Sequence, residues 1–448
     1  MPIAAFQPTG IQIHRGLGHA ECLGPNVLKW GTSKASIGDR AGAGRQVRQR
    51  AVRSGGTLVT MTRAASGAGA AEGAETSQAA EAAGRTGPAG TGPADTVRSN
   101  ATRGADPAAV GRYLAEHLRD DAWRSCTVTI ISGGKSNLTF LVTSGTGEEV
   151  VLRRPPLSTV LATAHDMARE HRVLTALRDT AVPVPSTRLL CEDPGVIGAP
   201  FYVMDRVAGH IVRGTLPAGY AETDEERAAM TSALVEVLAA VHGVPIAGRL
   251  DGFGPPSGYL QRQLRRWTKQ WEASKQTPLP DLDALAARLA AAPPQQRETT
   301  LVHGDYRLDN VIFDPVRPGR VAAVLDWELS TLGDPFADLG LLLVYWGDKR
   351  RGMPSVVPTV TTQAGFPGPA EVARQYAAVR GRDVSDLPWY VAFGSFKLAV
   401  IAAGVAARLR AGAMSVGPGA PAPDALDAAA EAVALLVAQG HDVLSGRS

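Results

Sequence analysis

The spacing of hydrophobic residues changes near Gly209. Before Gly209, short apolar runs predict a small β-sheet. Asp106 would cap a helix ahead of this sheet, with Pro107 in the first turn, and a second helix would have Met167 and Leu174 on its apolar face. After Gly209, apolar residues recur mainly with the 3.6-residue helical period. Strands followed by helices predict an α+β fold rather than alternating βαβ units.

The predicted elements define three parts of the chain. The predicted strands of the first part cover residues 127–131, 138–142, 149–153, 188–191 and 201–207. The predicted helices of the last part cover about residues 222–242, 258–274, 281–292, 370–380, 386–411 and 424–438, with strand-like runs at 311–313 and 321–325. We therefore expect a leader (1–105), a β-rich N-lobe (106–207) and a larger α-helical C-lobe (208–448).

The leader differs in composition from the rest of the chain. Residues 1–60 carry eight basic and two acidic side chains, and residues 62–101 contain one large apolar side chain, Val97. Such a segment buries too little apolar surface to offset its ordering entropy, so we expect disorder. An Arg-rich, acid-poor start also occurs in organelle-targeting peptides. The interpretation we favour is an over-long reading frame whose true start is Met61.

Charge, hydropathy and cysteine content argue against several classes of protein. The formal net charge of the 448 residues is +3, and residues 1–60 alone contribute +6. The rest of the chain is therefore slightly acidic, so we do not expect it to bind nucleic acid. No run of about eighteen uninterrupted apolar residues occurs, which argues against a membrane-spanning helix. Three cysteines far apart, Cys22, Cys126 and Cys191, form no disulfide or metal framework, so we expect a cytoplasmic protein.

Polar residues of one chemical type surround a predicted β-hairpin in the C-lobe. Asp305 stands five residues before Asn310 in a loop, a strand-like run follows at once, and the next run ends at Asp326. The hairpin would bring the three side chains together. Carboxylate and amide oxygens suit Mg²⁺, which also takes substrate phosphates as ligands. Phosphoryl transfer needs this set, with a base near the acceptor hydroxyl.

The run His303-Gly304-Asp305 with Asn310 and Asp326 downstream resembles the aminoglycoside phosphotransferase and choline kinase-like family. The resemblance covers about residues 106–440, and it is closest to the kinase-like domains found beside acyl-CoA dehydrogenases. It implies a bilobal protein-kinase-like fold and the cofactors ATP and Mg²⁺.

The resemblance also implies roles for individual residues of the C-lobe. Asp305 would accept or orient the proton of the acceptor hydroxyl, and Arg307 would contact the transferring phosphate. Asn310 and Asp326 would hold Mg²⁺. Asp338 would support the catalytic loop.

In the N-lobe the resemblance implies the nucleotide site. Arg153 would stand over the nucleotide phosphates and pair with Glu170, although the neighbouring Arg154 is an alternative. Asp205 and Val207 would form the hinge at the adenine. The residues expected to cover the phosphates are Gly133, Gly134, Ser136 and Asn137.

Three features have more than one interpretation. Glu328 is a further metal contact or a solvated loop acid. His303 is expected to support the loop by packing and hydrogen bonding. The basic, aromatic stretch 261–271 is expected to be an amphipathic helix that buries Leu264, Trp267 and Trp271, but its cations also leave open an anionic acceptor.

The sequence therefore predicts an enzyme that moves the γ-phosphate of ATP to a hydroxyl of a small molecule. The alternative is a nucleotide-binding pseudokinase that acts as an interaction module. Phosphorylation of antibiotics is a third possibility that the family name suggests, but the sequence shows no acidic acceptor pocket.

Overall fold

The computed structural model of the chain describes residues 11–12, 28–29, 104–132, 137–157, 166–347, 360–411 and 422–447, all within one structural unit. The predicted leader, apart from residues 11–12, 28–29 and 104–105, lies outside the described residues. Two short strands upstream, Ile11–Gln12 and Leu28–Lys29, pair in parallel.

The N-lobe is an antiparallel sheet of five strands in the spatial order β1-β2-β3-β5-β4. These strands are β1 (Thr127–Ser132), β2 (Leu138–Thr143), β3 (Glu149–Arg154), β4 (Thr187–Cys191) and β5 (Phe201–Asp205). Helix α1 (Pro107–Leu118) precedes the sheet and helix α2 (Met167–Leu177) lies between β3 and β4. Asp106 caps α1 by accepting a hydrogen bond from the Ala109 N–H at 2.8 Å, as predicted.

The two faces of the sheet belong to different cores, because successive strand residues point to opposite sides. Phe140, Leu152 and Val203 pack with α1 in a small core on the outer face. Val151 and Tyr202 face the other way and join a larger core that continues through the C-lobe. The alternation therefore decides which strand residues face the C-lobe.

The C-lobe is mainly helical. Its helices are α3 (Asp224–His242), α4 (Tyr259–Ser274), α5 (Pro280–Ala291), α6 (Pro335–Trp346), α7 (Pro369–Arg380), α8 (Leu387–Arg410) and α9 (Ala422–Leu444). Its strands form two antiparallel pairs: β6 (Thr300–Val302) with β9 (Thr331–Gly333), and β7 (Val311–Phe313) with β8 (Val321–Val324). The chain thus has the predicted bilobal protein-kinase-like architecture, with a small β-rich lobe and a larger helical one.

Helix α6 was missed by the sequence analysis. All twelve of its residues are buried, so the helix has no polar face and no 3.6-residue alternation to detect. It packs closely on α8, since a Cβ on Gly340 would come within 2.5 Å of the Tyr390 backbone.

Helix α8 differs from the expectation that the chain has no helix apolar enough to cross a membrane. By length and composition α8 could cross one, because an 18-residue window of it has a mean hydropathy of 1.7. The criterion of uninterrupted apolar residues was too strict, since one lysine inside the helix breaks the run. However, 89% of the window is buried within the protein, which is the environment of a core helix.

Candidate active site

The loop after β6 is fixed by hydrogen bonds from a neighbouring helix. Asp338 on α6 accepts from the backbone N–H of His303 at 2.6 Å and of Gly304 at 2.8 Å. Burial alone would raise the pKa of Asp338. The hydrogen bond to His242, the charge of His242 and the contacts with His303 outweigh burial, so the pKa of Asp338 is lowered. The buried carboxylate thus stays ionised and holds the loop, which is the support that the sequence predicts for Asp338.

His303 is held in one tautomer. Its Nδ1 accepts from the Asp305 backbone N–H at 3.2 Å, so its proton lies on Nε2, which donates to the Leu325 carbonyl at 2.8 Å. The ring is fully buried and lies against Trp327. His303 therefore connects the loop to the end of β8, the structural support expected from the sequence.

The carboxylate of Asp305 is surrounded by three polar side chains. Asn310 Nδ2 donates to Asp305 Oδ2 at 3.1 Å and to the Asp305 carbonyl at 2.8 Å. The Tyr345 hydroxyl, from α6, donates to Asp305 Oδ1 at 3.2 Å. Arg307 Nε lies 3.3 Å from Asp305 Oδ2 and 3.0 Å from Asp309 Oδ1. Asp305 therefore has a fixed orientation at the cleft.

The β7–β8 hairpin brings Asp326 to this loop, as the sequence analysis expects. The Leu325 N–H donates to the Asn310 carbonyl at 2.8 Å, which places the next residue, Asp326, beside the loop. Asp326 has a left-handed backbone, with φ +66°. Left-handed geometry is uncommon outside glycine, and such outliers cluster at functional sites.

Arg153 of β3 reaches this cluster from the N-lobe. Its Nη2 lies 3.2 Å from Glu170 Oε1 and 2.9 Å from Asp326 Oδ1. Arg154 points to the opposite face of β3, where it donates to the carbonyls of Gly104 and Ile197. Of the two candidates, only Arg153 faces the cleft.

The cluster contains more acidic than basic side chains. Glu328 accepts from Asn137 Nδ2 at 3.0 Å, so it is not the solvated loop acid that the sequence left open. Burial and the charge of Asp326 raise the pKa of Glu328 well above its ordinary value, and burial also raises the pKa of Glu170. Glu170 and Asp326 thus pair with the single guanidinium of Arg153, and Glu328 adds a third acidic side chain close by.

These residues fit a bound divalent cation with nucleotide phosphates. With Nδ2 of Asn310 donating to Asp305, its amide oxygen is the atom that would bind a metal beside the Asp326 carboxylate. Among the described residues no group of three His, Cys, Asp or Glu side chains is arranged to hold a metal by itself. Mg²⁺ commonly uses one or two protein oxygens and takes its other ligands from phosphate and water, so the oxygens of Asn310 and Asp326 would suffice on the protein side.

The remaining predicted nucleotide positions are only partly described. Gly133, Gly134 and Ser136 lie outside the described residues. The Asp205 carboxylate forms an ion pair with Arg188 on the adjacent strand, so its side chain is turned along the sheet.

Asp205 also donates its backbone N–H to the Ser186 carbonyl at 2.9 Å. Val207 is half-buried in the connection between the lobes. The adenine hinge at these two residues remains a prediction.

Helix α4 packs as the sequence predicts. Leu264, Trp267 and Trp271 are buried in the large core. Against this helix lies a residue that the sequence analysis missed, Lys397 of α8. Its Nζ lies 5.4 Å from the centre of the Trp267 ring and donates to the Gly304 carbonyl at 2.8 Å. The available signal was a lone lysine within an apolar helix.

Known proteins share both the sequence pattern and the fold. The sequence profile of the phosphotransferase enzyme family (APH) matches residues 127–381. Acyl-CoA dehydrogenase family member 11 of Homo sapiens is 38% identical over 336 residues, which cover 72% of this chain and 42% of that protein. Family member 10 of Mus musculus is 37% identical over 317 residues, 68% of this chain and 29% of that protein. The chain therefore spans less than half the length of these curated relatives.

A solved structure extends the comparison. A crystal structure from Ralstonia eutropha JMP134, provisionally named an aminoglycoside phosphotransferase, has a TM-score of 0.63 and 34% sequence identity. The match covers 76% of this chain and 98% of that one. Fold and sequence comparisons thus agree over both lobes.

Proposed function

Because the chain belongs to the phosphotransferase enzyme family, we propose that it is an ATP- and Mg²⁺-dependent enzyme that transfers the γ-phosphoryl group to a hydroxyl of a small molecule. One observation carries the proposal. A single hairpin places Asp326 beside the Asp305–Asn310 loop, and Arg153 reaches Asp326 from the opposite lobe. Phosphoryl transfer depends mainly on positioning and charge, which this arrangement provides.

In the proposed reaction, Asp305 orients the acceptor hydroxyl and accepts its proton. The hydrogen bonds from Asn310 and Tyr345 set the carboxylate direction before the acceptor arrives. Arg307 lies beside the same carboxylate, with its guanidinium 5.0 Å from the centre of the Tyr345 ring, and would stabilise charge on the transferring phosphoryl group.

The nucleotide would bind on the N-lobe side of the cleft. Arg153 would contact its phosphates, with Glu170 fixing the guanidinium. Asn310 and Asp326 would hold Mg²⁺, which when bound neutralises charge on the phosphates. A bound cation would favour the ionised forms of the acids around Arg153, two of which, Glu170 and Glu328, have raised pKa values without it.

The acceptor that this site favours is not a polycation. Arg307 and Lys397 both lie at the loop that carries Asp305. These two cations offset the charges of Asp305 and Asp309, so the loop has no excess negative charge to attract an aminoglycoside, which carries several positive charges. The proposal is therefore a kinase for a small-molecule alcohol, with antibiotic phosphorylation disfavoured.

The first test measures nucleotide binding by calorimetry. A non-hydrolysable ATP analogue should bind wild-type protein only with Mg²⁺, and the GTP analogue tests base preference. Asp326→Ala should weaken this binding at least tenfold, because it removes a carboxylate ligand. Glu192→Ala, at an exposed position just after β4 in the N-lobe, serves as the control. Binding that is independent of Mg²⁺, or unchanged in Asp326→Ala, would refute the assigned metal site.

The second test measures ADP formation with a panel of hydroxyl compounds. Asp305→Asn should lower turnover by about 10²–10⁴-fold, the usual contribution of a general base, while nucleotide affinity stays within about twofold of wild type. If wild-type protein binds Mg·ATP but forms no ADP with any acceptor or with water, the pseudokinase alternative replaces the enzyme.

A further inference from the structure

Lys397 is a charged side chain in an apolar helix. Within α8 every other residue before Arg408 is uncharged, and most of the helix is buried. A cation in such a position is costly unless it is paired or hydrogen-bonded. The side chain is half-buried, and its ammonium reaches the Gly304 carbonyl at 2.8 Å.

The peptide group that Lys397 contacts is the one that immediately precedes Asp305. The carbonyl oxygen of this peptide accepts from Lys397, and its N–H donates to His303 Nδ1. Both polar ends of one peptide plane are therefore held, one from within the loop and one from a helix 93 residues further along the chain. Rotation of this plane changes ψ of Gly304 and φ of Asp305, so it would redirect the Asp305 side chain and break both hydrogen bonds.

The backbone on the other side of this peptide is also constrained. Gly304 has φ +85°, and a Cβ there would lie 2.7 Å from the Leu329 carbonyl oxygen. Only glycine therefore fits this backbone. Its N–H is held by Asp338 at 2.8 Å, and Lys397 holds its carbonyl, which belongs to the peptide plane that sets the direction of Asp305.

The ammonium also lies close to the loop's acids. Burial lowers the pKa of Lys397, and the charges of Asp305 and Asp338 oppose that shift. The Trp267 ring, 5.4 Å from Nζ, adds a cation–π contact. The pKa is lowered overall because the charges of Arg266 and Arg307 add to the effect of burial, so the acids and the ring stabilise the ammonium only in part.

We propose that Lys397 is a positioning residue for Asp305, acting through its hydrogen bond to the Gly304 carbonyl. The proposal rests on the proposed phosphotransferase function for its catalytic consequence, but not for the geometry that it asserts. An error of about 1 Å in the position of a reacting group can lower the rate by about 10²-fold. Loss of Lys397 should therefore reduce kcat and leave nucleotide binding intact.

The test compares Lys397→Met with Lys397→Arg, which restores a long cationic donor. Lys269→Met, at an exposed position of α4, is the control. The first readout is amide hydrogen exchange of residues 303–306 in the full chain. Lys397→Met should accelerate exchange of the Asp305 amide at least tenfold, and Lys397→Arg should restore most of the protection. Unchanged exchange in Lys397→Met would overturn the proposal whether or not the protein is active.

The second readout is ADP formation from Mg·ATP without added acceptor. Lys397→Met should lower kcat by about 10²-fold with the KM for Mg·ATP within twofold of wild type, and Lys397→Arg should recover at least a tenth of wild-type kcat. A change in KM alone, or a loss that arginine does not recover, would overturn the positioning role. If wild-type protein forms ADP neither with water nor with any acceptor of the hydroxyl panel, the proposed function fails, and the exchange result then decides this inference alone.

Discussion

Asp334, at the N-terminus of α6, should make the stability of the protein depend on pH in an unusual direction. Burial is the main reason that its pKa rises from 3.8 to about 6, and hydrogen bonds from Tyr390 and the Phe336 N–H only partly oppose it. An acid with a raised folded-state pKa binds protons more tightly in the folded than in the unfolded chain. Its contribution to stability is therefore present at low pH and is lost as pH rises from about 4 to above 6.

The magnitude follows from the size of the pKa shift. A shift of about two units corresponds to roughly 3 kcal/mol between the fully protonated and fully ionised limits. Asn is a good capping residue, and its amide can still accept from the Phe336 N–H while donating to the Tyr390 hydroxyl. Asp334→Asn should thus raise the free energy of unfolding by about 3 kcal/mol at pH 8, but by only about 1.5 kcal/mol at pH 5.

Urea unfolding at constant ionic strength, monitored at pH 5 and pH 8, provides the measurement. Asp427→Asn, an exposed position of α9, controls for removal of one surface charge. A gain for Asp334→Asn that is equal at the two pH values, or a loss at pH 8, would show that the buried carboxylate is not the source of the pH dependence.

Two further substitutions test the geometry around the cleft. Gly304→Ala should abolish ADP formation and should lower the unfolding free energy by more than Gly147→Ala does. Both glycines have a positive φ, but only at Gly304 would a Cβ also meet the Leu329 carbonyl. Equal losses of unfolding free energy in urea would refute the steric argument. Glu170→Ala should lower the unfolding free energy by about 3 kcal/mol, since it removes one of two carboxylates from a buried guanidinium. Glu192→Ala, at an exposed position after β4, should change it by less than about 0.5 kcal/mol.

The sequence predicted that Asp305, Asn310 and Asp326 lie together, because these parts of the candidate site are close in the chain. Asp305 and Asn310 lie in one loop, and the strand, turn and strand that follow return the chain to the same place at Asp326. A hairpin has a short connection and a recognisable pattern, so its ends can be placed together without knowledge of the rest of the fold.

The choice between Arg153 and Arg154 needed the sheet itself. The alternation of side chains along a β-strand predicts that Arg153 and Arg154 point to opposite faces of the sheet. It does not predict which face meets the C-lobe. The structure answers this through the packing of α1 on the outer face, where Arg154 finds backbone carbonyls at Gly104 and Ile197. Arg153 therefore faces the cleft, where its guanidinium pairs with the carboxylates of Glu170 and Asp326.

The contacts that α6 and α8 make with the loop could not be predicted from the sequence, for a different reason. A helix that is buried on every side has no apolar stripe, so neither the position of Tyr345 nor that of Asp338 can be read from periodicity. The lone charge of Lys397 carries more information. A cation within an apolar helix requires a partner, because an unpaired buried charge is strongly unfavourable. The sequence therefore implies that Lys397 has an acceptor, but only the close packing of α8 on α6 determines that the acceptor is the Gly304 carbonyl.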